Sequence, residues 1–427
     1  MPTPPVQLYA ELLANIRQVS VSALFAVPVN AATTTAVILP DGETLRIQQD
    51  GQTLATMTLP GKVAVSVAGG GPKSLPMLGP VLVSGNVTWR LPAVDGLNKT
   101  QDDNDCLAPW SAPDLPPKSP VACRACETEL VAASTVQTWK DLPSDNWAEM
   151  MEFWHCHKPD VKEETKKSIK GGDKDGEKDE NENRLADRGY GANSVISAER
   201  GVGFVDLTTL LFAEDDCQNF LFSTSTADKA SANRETLLSS TSADLRGLHI
   251  YCSSCRAQVG YLTLRRQQSV HLFKWQVAVV GAESTAPSIA DCVAATLVAT
   301  IQRTGSSKSF LLPIYELDGG EGATDREEEK GDEKALQVWV LNSSIGYAAW
   351  PAETPSGPAI KLLYRFVPRK EADDTLDRLN SDVQEINLPR ETIAAVTGLL
   401  EESNNLLPPR DRLFQEWKIG LLKRWRR

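Results

Sequence analysis

Histidine is scarce in this chain of 427 residues, with only four, and basic residues are outnumbered by acidic ones, 44 against 56. The resulting net charge of −12 disfavours a general phosphate-binding surface, which needs clustered Lys and Arg, so no direct nucleic-acid contact is expected. No apolar run approaches the ~20 residues that cross a bilayer, so no membrane role is expected either. The start, Met-Pro-Thr-Pro-Pro, has no charged segment leading into an apolar one, which gives the expectation of a cytoplasmic and nuclear protein. Eight cysteines in so long a chain are too few for a disulfide scaffold. There is no hydrolytic triad, no Gly-rich phosphate loop and no metallohydrolase His-Glu motif, so the common enzyme chemistries lack a signature.

Present instead are two Cys-x-x-Cys pairs, Cys123-Arg124-Ala125-Cys126 and Cys252-Ser253-Ser254-Cys255. In a reducing compartment such pairs read as metal-binding or redox elements, and two thiolates at this spacing clasp one side of a tetrahedral ion. Each pair is half a site. Their separation is far beyond a local zinc ribbon, so one structural zinc shared by all four requires the fold to bring them together. Two unmetallated pairs, or completion of the first by His155 or His157, are the other readings. Gly260, shortly after the second pair, suits the tight turn of a knuckle, whereas Glu127 stands directly after Cys126 where a turn-forming Gly would suit one.

A third cluster lies between them, Ser144 to Pro159. Ser144 or Asp145 caps a short helix, and Trp147, Met150, Met151 and Trp154 recur at i, i+3, i+4 and i+7 along one face. Pro159 disfavours helix at Lys158, so His155, Cys156 and His157 fall where the chain turns extended, with the two imidazoles on one side and the thiol on the other. Soft and borderline ligands clustered this tightly point to a metal or a partner.

The expected fold class is α+β, predominantly antiparallel β with a few helices: an N-terminal β-sheet or sandwich and a C-terminal α+β domain, linked around the zinc site. After a helix expected over 6–16, short β-rich segments over 22–92 are separated by turn pairs such as Asp41-Gly42 and Asp50-Gly51. The domain reading is 1–100 N-terminal β-rich; 101–160 linker, first Cys-x-x-Cys and Trp-x-Cys-His motif; 161–190 disordered charged insertion; and 191–427 C-terminal α+β, with a second disordered insertion over 318–335. Acidic, proline-rich 98–120 reads as a loop or linker. Ser288, with Asp291 three residues on, starts the best helix, which Gly305 closes. Further helices are expected over about 390–402 and 410–424, the latter from Leu413, Trp417 and Leu421, with the basic end 423–427 at its negative pole.

The order Cys-x-x-Cys, Asn146-Trp147 with the Trp154-x-Cys156-His157 tip, a second Cys-x-x-Cys, a Val-Trp-Val-Leu-Asn strand at 338–342, Leu362-Leu363-Tyr364 and a helix after Leu388-Pro389 resembles the HECT-like ubiquitin-conjugating-enzyme-binding protein family. The resemblance spans nearly the whole chain apart from the two insertions. It implies a ubiquitin-protein ligase type of protein that binds a ubiquitin-conjugating enzyme. It further implies association with the zinc-dependent, metallo-β-lactamase-type endonuclease of pre-mRNA cleavage and polyadenylation, held inactive by the tip: Cys156 and His157 at the partner's metal, and Asn146, Trp147, Met150, Met151 and Trp154 in the partner contact. A ligase that carries ubiquitin on its own cysteine, Cys156 if a thioester forms, is the alternative. No cysteine follows Cys292, which argues against the C-terminal catalytic cysteine of true HECT ligases.

Overall fold

A computed structural model describes residues 5–30, 32–65, 72–76, 82–94, 108–142, 198–224, 247–264, 269–314, 334–351, 354–378 and 381–425. The strands of its first half are β1 (Val6–Leu13), β2 (Gln18–Asn30), β3 (Thr34–Ile38), β4 (Thr44–Gln49), β5 (Gln52–Thr58), β6 (Lys73–Leu75), β7 (Leu82–Pro92), β8 (Val121–Cys123), β9 (Glu129–Val131), β10 (Thr138–Asp141), β11 (Val202–Val205), β12 (Thr209–Ala213) and β13 (Phe220–Ser223). Next come β14 (Gly247–Cys252), β15 (Gln258–Thr263), β16 (Ser269–Phe273), β17 (Val277–Val279), helix α1 (Ile289–Thr304), β18 (Lys308–Pro313), β19 (Lys334–Trp350) and β20 (Thr354–Pro368). The chain closes with α2 (Arg369–Leu376), β21 (Val383–Leu388), α3 (Arg390–Leu406), β22 (Leu413–Phe414) and β23 (Trp417–Lys423). Nearly all pairings are antiparallel; β10 with β11 and β18 with β21 are parallel. The expected class, mostly antiparallel β with a few helices, is what the chain adopts.

The elements form two compact units, one of Met1–Pro109 with Thr285–Arg427, the other of Trp110–Ser284. The linear division at about residue 100 does not follow these units, because β1 is hydrogen-bonded to β19 on one side and β2 on the other, which joins both chain ends in one nine-stranded sheet.

In the first unit, β1 replaces the helix expected over 6–16. Leu8 and Ala10 enter one core while Tyr9 enters another; Val6, Leu8, Ala10 and Leu12 alternate with Gln7, Tyr9 and Glu11, the period-two pattern of a strand, which the helix expectation passed over. A four-stranded sheet in the order β5-β4-β3-β6 covers one face. Ala36, Ile38, Leu45, Ile47, Ala55 and Met57 alternate inward against Val19, Val21, Val87 and Trp89, which is the expected sandwich. Asp50 and Gly51 both take positive φ, 50° and 80°, as a two-residue hairpin turn demands.

Helix α1 starts and stops where its sequence says. Ser288 Oγ accepts from the Asp291 N–H, the Asp291 carboxylate accepts from the Ser288 N–H, and Gly305 closes the helix in the left-handed region. Val293 and Leu297 of α1, with Val396 and Leu400 of α3, pack on Leu336, Val338, Leu362 and Tyr364. The segment 410–424 is not a helix. Trp417, Ile419 and Leu421 of β23 face one core and Leu422 the other, again a strand buried on both faces. The Leu413, Trp417, Leu421 spacing matched a helix by coincidence. Arg424, instead of meeting a helix pole, donates from Nη1 to the Ser343 carbonyl. Lys334 and Ala335, expected within an insertion, open β19, with Ala335 buried.

The second unit holds a seven-stranded sheet, β10-β11-β12-β16-β15-β14-β13, and a three-stranded sheet, β17-β8-β9. Of the expected linker, residues 110–120 belong to this unit, and some of them enter its interior. Trp110 and Leu115 are buried, Ser111 and Asp114 form a capping box, and the Trp110 carbonyl accepts from the fully buried Lys274 Nζ at 3.0 Å. No helix among the described residues is long and apolar enough to cross a membrane.

Candidate metal centre

Strand β8 ends on Cys123 and strand β14 ends on Cys252, and each runs into the same turn. The Cys123 N–H donates to the Thr128 carbonyl and the Glu127 N–H to the Cys123 carbonyl, both at 2.8 Å; the Cys252 N–H donates to Ala257 at 2.9 Å and the Arg256 N–H to Cys252 at 3.0 Å. The fifth residue of each turn is left-handed, Glu127 at φ 61° and Arg256 at φ 62°. Two copies of one knuckle therefore face each other. Neither has glycine where the backbone favours it, which costs about 1–2 kcal/mol per position. Gly260 has a different role from the turn expected of it. It lies within β15, and a Cβ there would come 1.9 Å from the His271 carbonyl oxygen, so its absence lets β15 and β16 pair.

The segment just before β13 straps the hairpins together. The Gln218 N–H donates to the Leu130 carbonyl, Asn219 Nδ2 donates to the Glu129 carbonyl, and the Asn219 carbonyl accepts from the Ser253 N–H, at 2.8, 2.8 and 2.9 Å. Thr128 Oγ1 and Ser254 Oγ share a hydrogen bond at 2.8 Å, a direct bond between the two turns. These residues carry no metal-site signature in the sequence; only the positive φ of Asn219, 60°, has a local correlate, since Asn tolerates that region.

With the hairpins so placed, the four sulfurs lie within 4.8 Å of one another. Cys123 and Cys255 approach to 3.6 Å and Cys126 and Cys252 to 3.5 Å. Thiolates ~2.3 Å from a tetrahedral ion stand about 3.8 Å apart, so the cluster has the size of a four-thiolate metal site. The sequence left open whether the pairs meet; they do, and they could hold one metal ion. Cys123 and Cys252 are buried, while Cys126 and Cys255 reach solvent. The Thr128 hydroxyl and N–H pull the Cys126 thiol down to about 6, whereas burial pushes Cys123 up to about 12 and raises Cys255. The cluster thus offers one thiolate ready at neutral pH and others that ionise when a cation compensates them.

Of the remaining cysteines, Cys217 is pushed well above the ordinary thiol range by burial, with Asp216 and Glu214 adding to the shift, and Cys292 is fully buried in α1. The residues of the tip, Asn146, Trp147, Met150, Met151, Trp154, His155, Cys156 and His157, lie outside the described residues, as do Cys106 and the insertion 161–190.

Relatives include an uncharacterized protein of Saccharomyces cerevisiae, 21% identical over 302 residues, which covers 70% of this chain and 67% of the relative. An uncharacterized protein of Schizosaccharomyces pombe is 22% identical over 339 residues, covering 75% of this chain and 79% of the relative. No solved structure matches. The family model described as HECT-like ubiquitin-conjugating enzyme (E2)-binding matches residues 11–419, and with nearly the whole chain so covered, this protein belongs to that family.

Proposed function

We propose that this chain is a ubiquitin-ligase-like protein that binds a ubiquitin-charged conjugating enzyme, with zinc at Cys123, Cys126, Cys252 and Cys255 as the structural clasp of its second unit. The family match over residues 11–419 carries the first part. The four-sulfur cluster supports the second. A four-thiolate zinc site leaves no open position, so the ion would supply folding energy and not catalysis. In this unit, Cys123 and Cys126 fix the end of β8, Cys252 and Cys255 fix the end of β14, and the Thr128–Ser254 bond holds the turns in register.

On this reading ubiquitin passes from the conjugating enzyme's thioester to a lysine without a covalent stop on this chain. A carrier cysteine needs an accessible thiol of lowered pKa. Cys217 and Cys292 have the opposite surroundings, and Cys126, which has such a thiol, is taken up by the proposed clasp. Mixing the purified chain with a panel of charged conjugating enzymes should reveal binding to at least one and faster ubiquitin discharge onto lysine. A reducible ubiquitin adduct on Cys156 or Cys217 in a single turnover would instead establish transfer through the chain's own cysteine. Metal analysis should return about one zinc per chain, and zinc-free protein would defeat the clasp.

The finer reading concerns the tip. Trp147, Met150, Met151 and Trp154 would anchor a short helix beside Asn146 in the partner contact. Cys156, with His157 beside it, would then displace water from the zinc of a metallo-β-lactamase-type endonuclease of pre-mRNA 3′-end processing, in cytoplasm and nucleus. Thiolate next to imidazole is a donor set that zinc favours. Cys156→Ser should weaken binding and inhibition of that nuclease sharply with the fold intact; undiminished inhibition would end the reading.

A further inference from the structure

We infer that the four-cysteine centre is also an oxidant-sensitive switch, in which a hydroperoxide converts the metal clasp into disulfides linking the two hairpins. The inference rests on the zinc reading above. Three observations carry it beyond that reading. The centre is half open, since Cys126 and Cys255 reach solvent while Cys123 and Cys252 are buried. Each accessible sulfur stands against a buried sulfur of the opposite hairpin, Cys126 at 3.5 Å from Cys252 and Cys255 at 3.6 Å from Cys123. The hairpins are also held together independently of any ion, by the Gln218 and Asn219 strap and the Thr128–Ser254 bond. Loss of the ion would therefore leave the sulfurs near one another.

The chemistry balances with hydrogen peroxide as the oxidant. The accessible Cys126 thiolate attacks one peroxide oxygen, the O–O bond breaks, and a sulfenic acid forms with release of hydroxide. The Cys252 thiolate then attacks that sulfur, an S–S bond forms and a second hydroxide leaves. Two thiolates, one peroxide and two protons become one disulfide and two waters; the sulfurs are oxidised by two electrons and the peroxide oxygens reduced by two. Cys255 and Cys123 can repeat the step with a second peroxide. Sulfurs tied up in a disulfide no longer act as thiolate ligands, so the metal is released while the hairpins stay joined by a covalent bond.

The test uses the purified full chain, with its zinc content measured first. Hydrogen peroxide is added, released zinc is followed with a chromogenic chelator, and disulfides are mapped by non-reducing peptide mass analysis. Trypsin cuts after Arg124 and so separates Cys123 from Cys126, while Cys252 and Cys255 stay on one peptide and are told apart by its fragment ions. Expected are loss of most of the bound zinc, a Cys126–Cys252 link formed in step with it, and recovery of zinc binding after a thiol reductant and added zinc. Zinc retained under peroxide that fully oxidises free cysteine would overturn the switch. So would zinc release accompanied by sulfinic acids, by links within one hairpin, or by oxidation at Cys217 first. A chain that carries no zinc and takes none up fails at the first measurement, which separates failure of the clasp from failure of the switch.

Discussion

Glu127, Arg256 and Gly260 invert what their residue types suggest. Glycine would ease the left-handed positions at 127 and 256, yet these hold Glu and Arg, while Gly260 occupies an extended strand because His271 leaves no room for a Cβ. Glu127→Gly should therefore be neutral or stabilising by up to about 1 kcal/mol, since relieved strain is offset by a more flexible unfolded chain. Gly260→Ala should cost roughly 2–3 kcal/mol as β15 and β16 are forced apart. Paired thermal melts would check both, and a harmless Gly260→Ala would contradict the close approach. His271 gives a second residue-scale expectation. Its ring stacks on Tyr261 with centroids 4.5 Å apart, and burial lowers it to about 4. The folded value lies below the ordinary 6.5, so the unfolded chain takes the proton first. Stability from this residue is fully present above pH 6.5 and drains as pH falls toward 4, on the order of 3 kcal/mol in total. His271→Phe should flatten the unfolding profile in that window relative to the parent; an unchanged slope would mean the imidazole is not what titrates.

Among the elements, α1 is the one whose ends are wholly local. The reciprocal Ser288–Asp291 bonds satisfy N–H groups that a helix start leaves open, and Gly305 supplies the left-handed exit. Ser288→Ala should cost about 1 kcal/mol in denaturant unfolding without altering the midpoint of metal release, because it acts on the first unit alone. β1 and β23 show the opposite case. Each lies between two hydrogen-bonded strands and sends side chains into cores on both faces; β1 still alternates, Val6, Leu8 and Ala10 against Gln7, Tyr9 and Glu11, whereas in β23 Trp417 and Leu421 happen to fit a helical spacing with Leu413. Gly420 was the telling residue in β23: a Cβ there would come 2.7 Å from Leu400 Cδ2, so the strand lies tight under α3.

For the molecule as a whole, the two units differ in how they are held. Sandwich and helix packing build the apolar cores of the first; the second has buried apolar residues of its own, among them Phe212, Leu248 and Leu272, and adds a meeting of two distant hairpins at four sulfurs. If the proposed clasp holds, stripping its metal with a strong chelator should speed amide exchange in 121–131 and 247–263 while leaving 289–304 and 334–350 protected, as read by hydrogen-exchange mass spectrometry. Replacement of Cys252 by Ser should do the same. Uniform loss of protection, or none at all, would contradict a clasp confined to the second unit.

The sequence by itself determined what short-range chemistry controls: the predominance of antiparallel strands, the Asp50-Gly51 turn, both ends of α1, the two half-sites and the family resemblance. Each depends on residues a few positions apart, where turn geometry, capping and ligand spacing act. Only the tertiary structure decided that Cys123 and Cys126 meet Cys252 and Cys255, because that meeting runs through backbone groups of Gln218 and Asn219, the Asn219 side-chain amide and the Thr128–Ser254 hydroxyl pair, polar contacts that no local pattern announces. It also decided that 417–423 is a strand, since Leu421 and Leu422 enter cores on opposite faces and blur the alternation by which a strand is recognised, and that β1 joins β19, a pairing across more than 330 residues that no local pattern encodes.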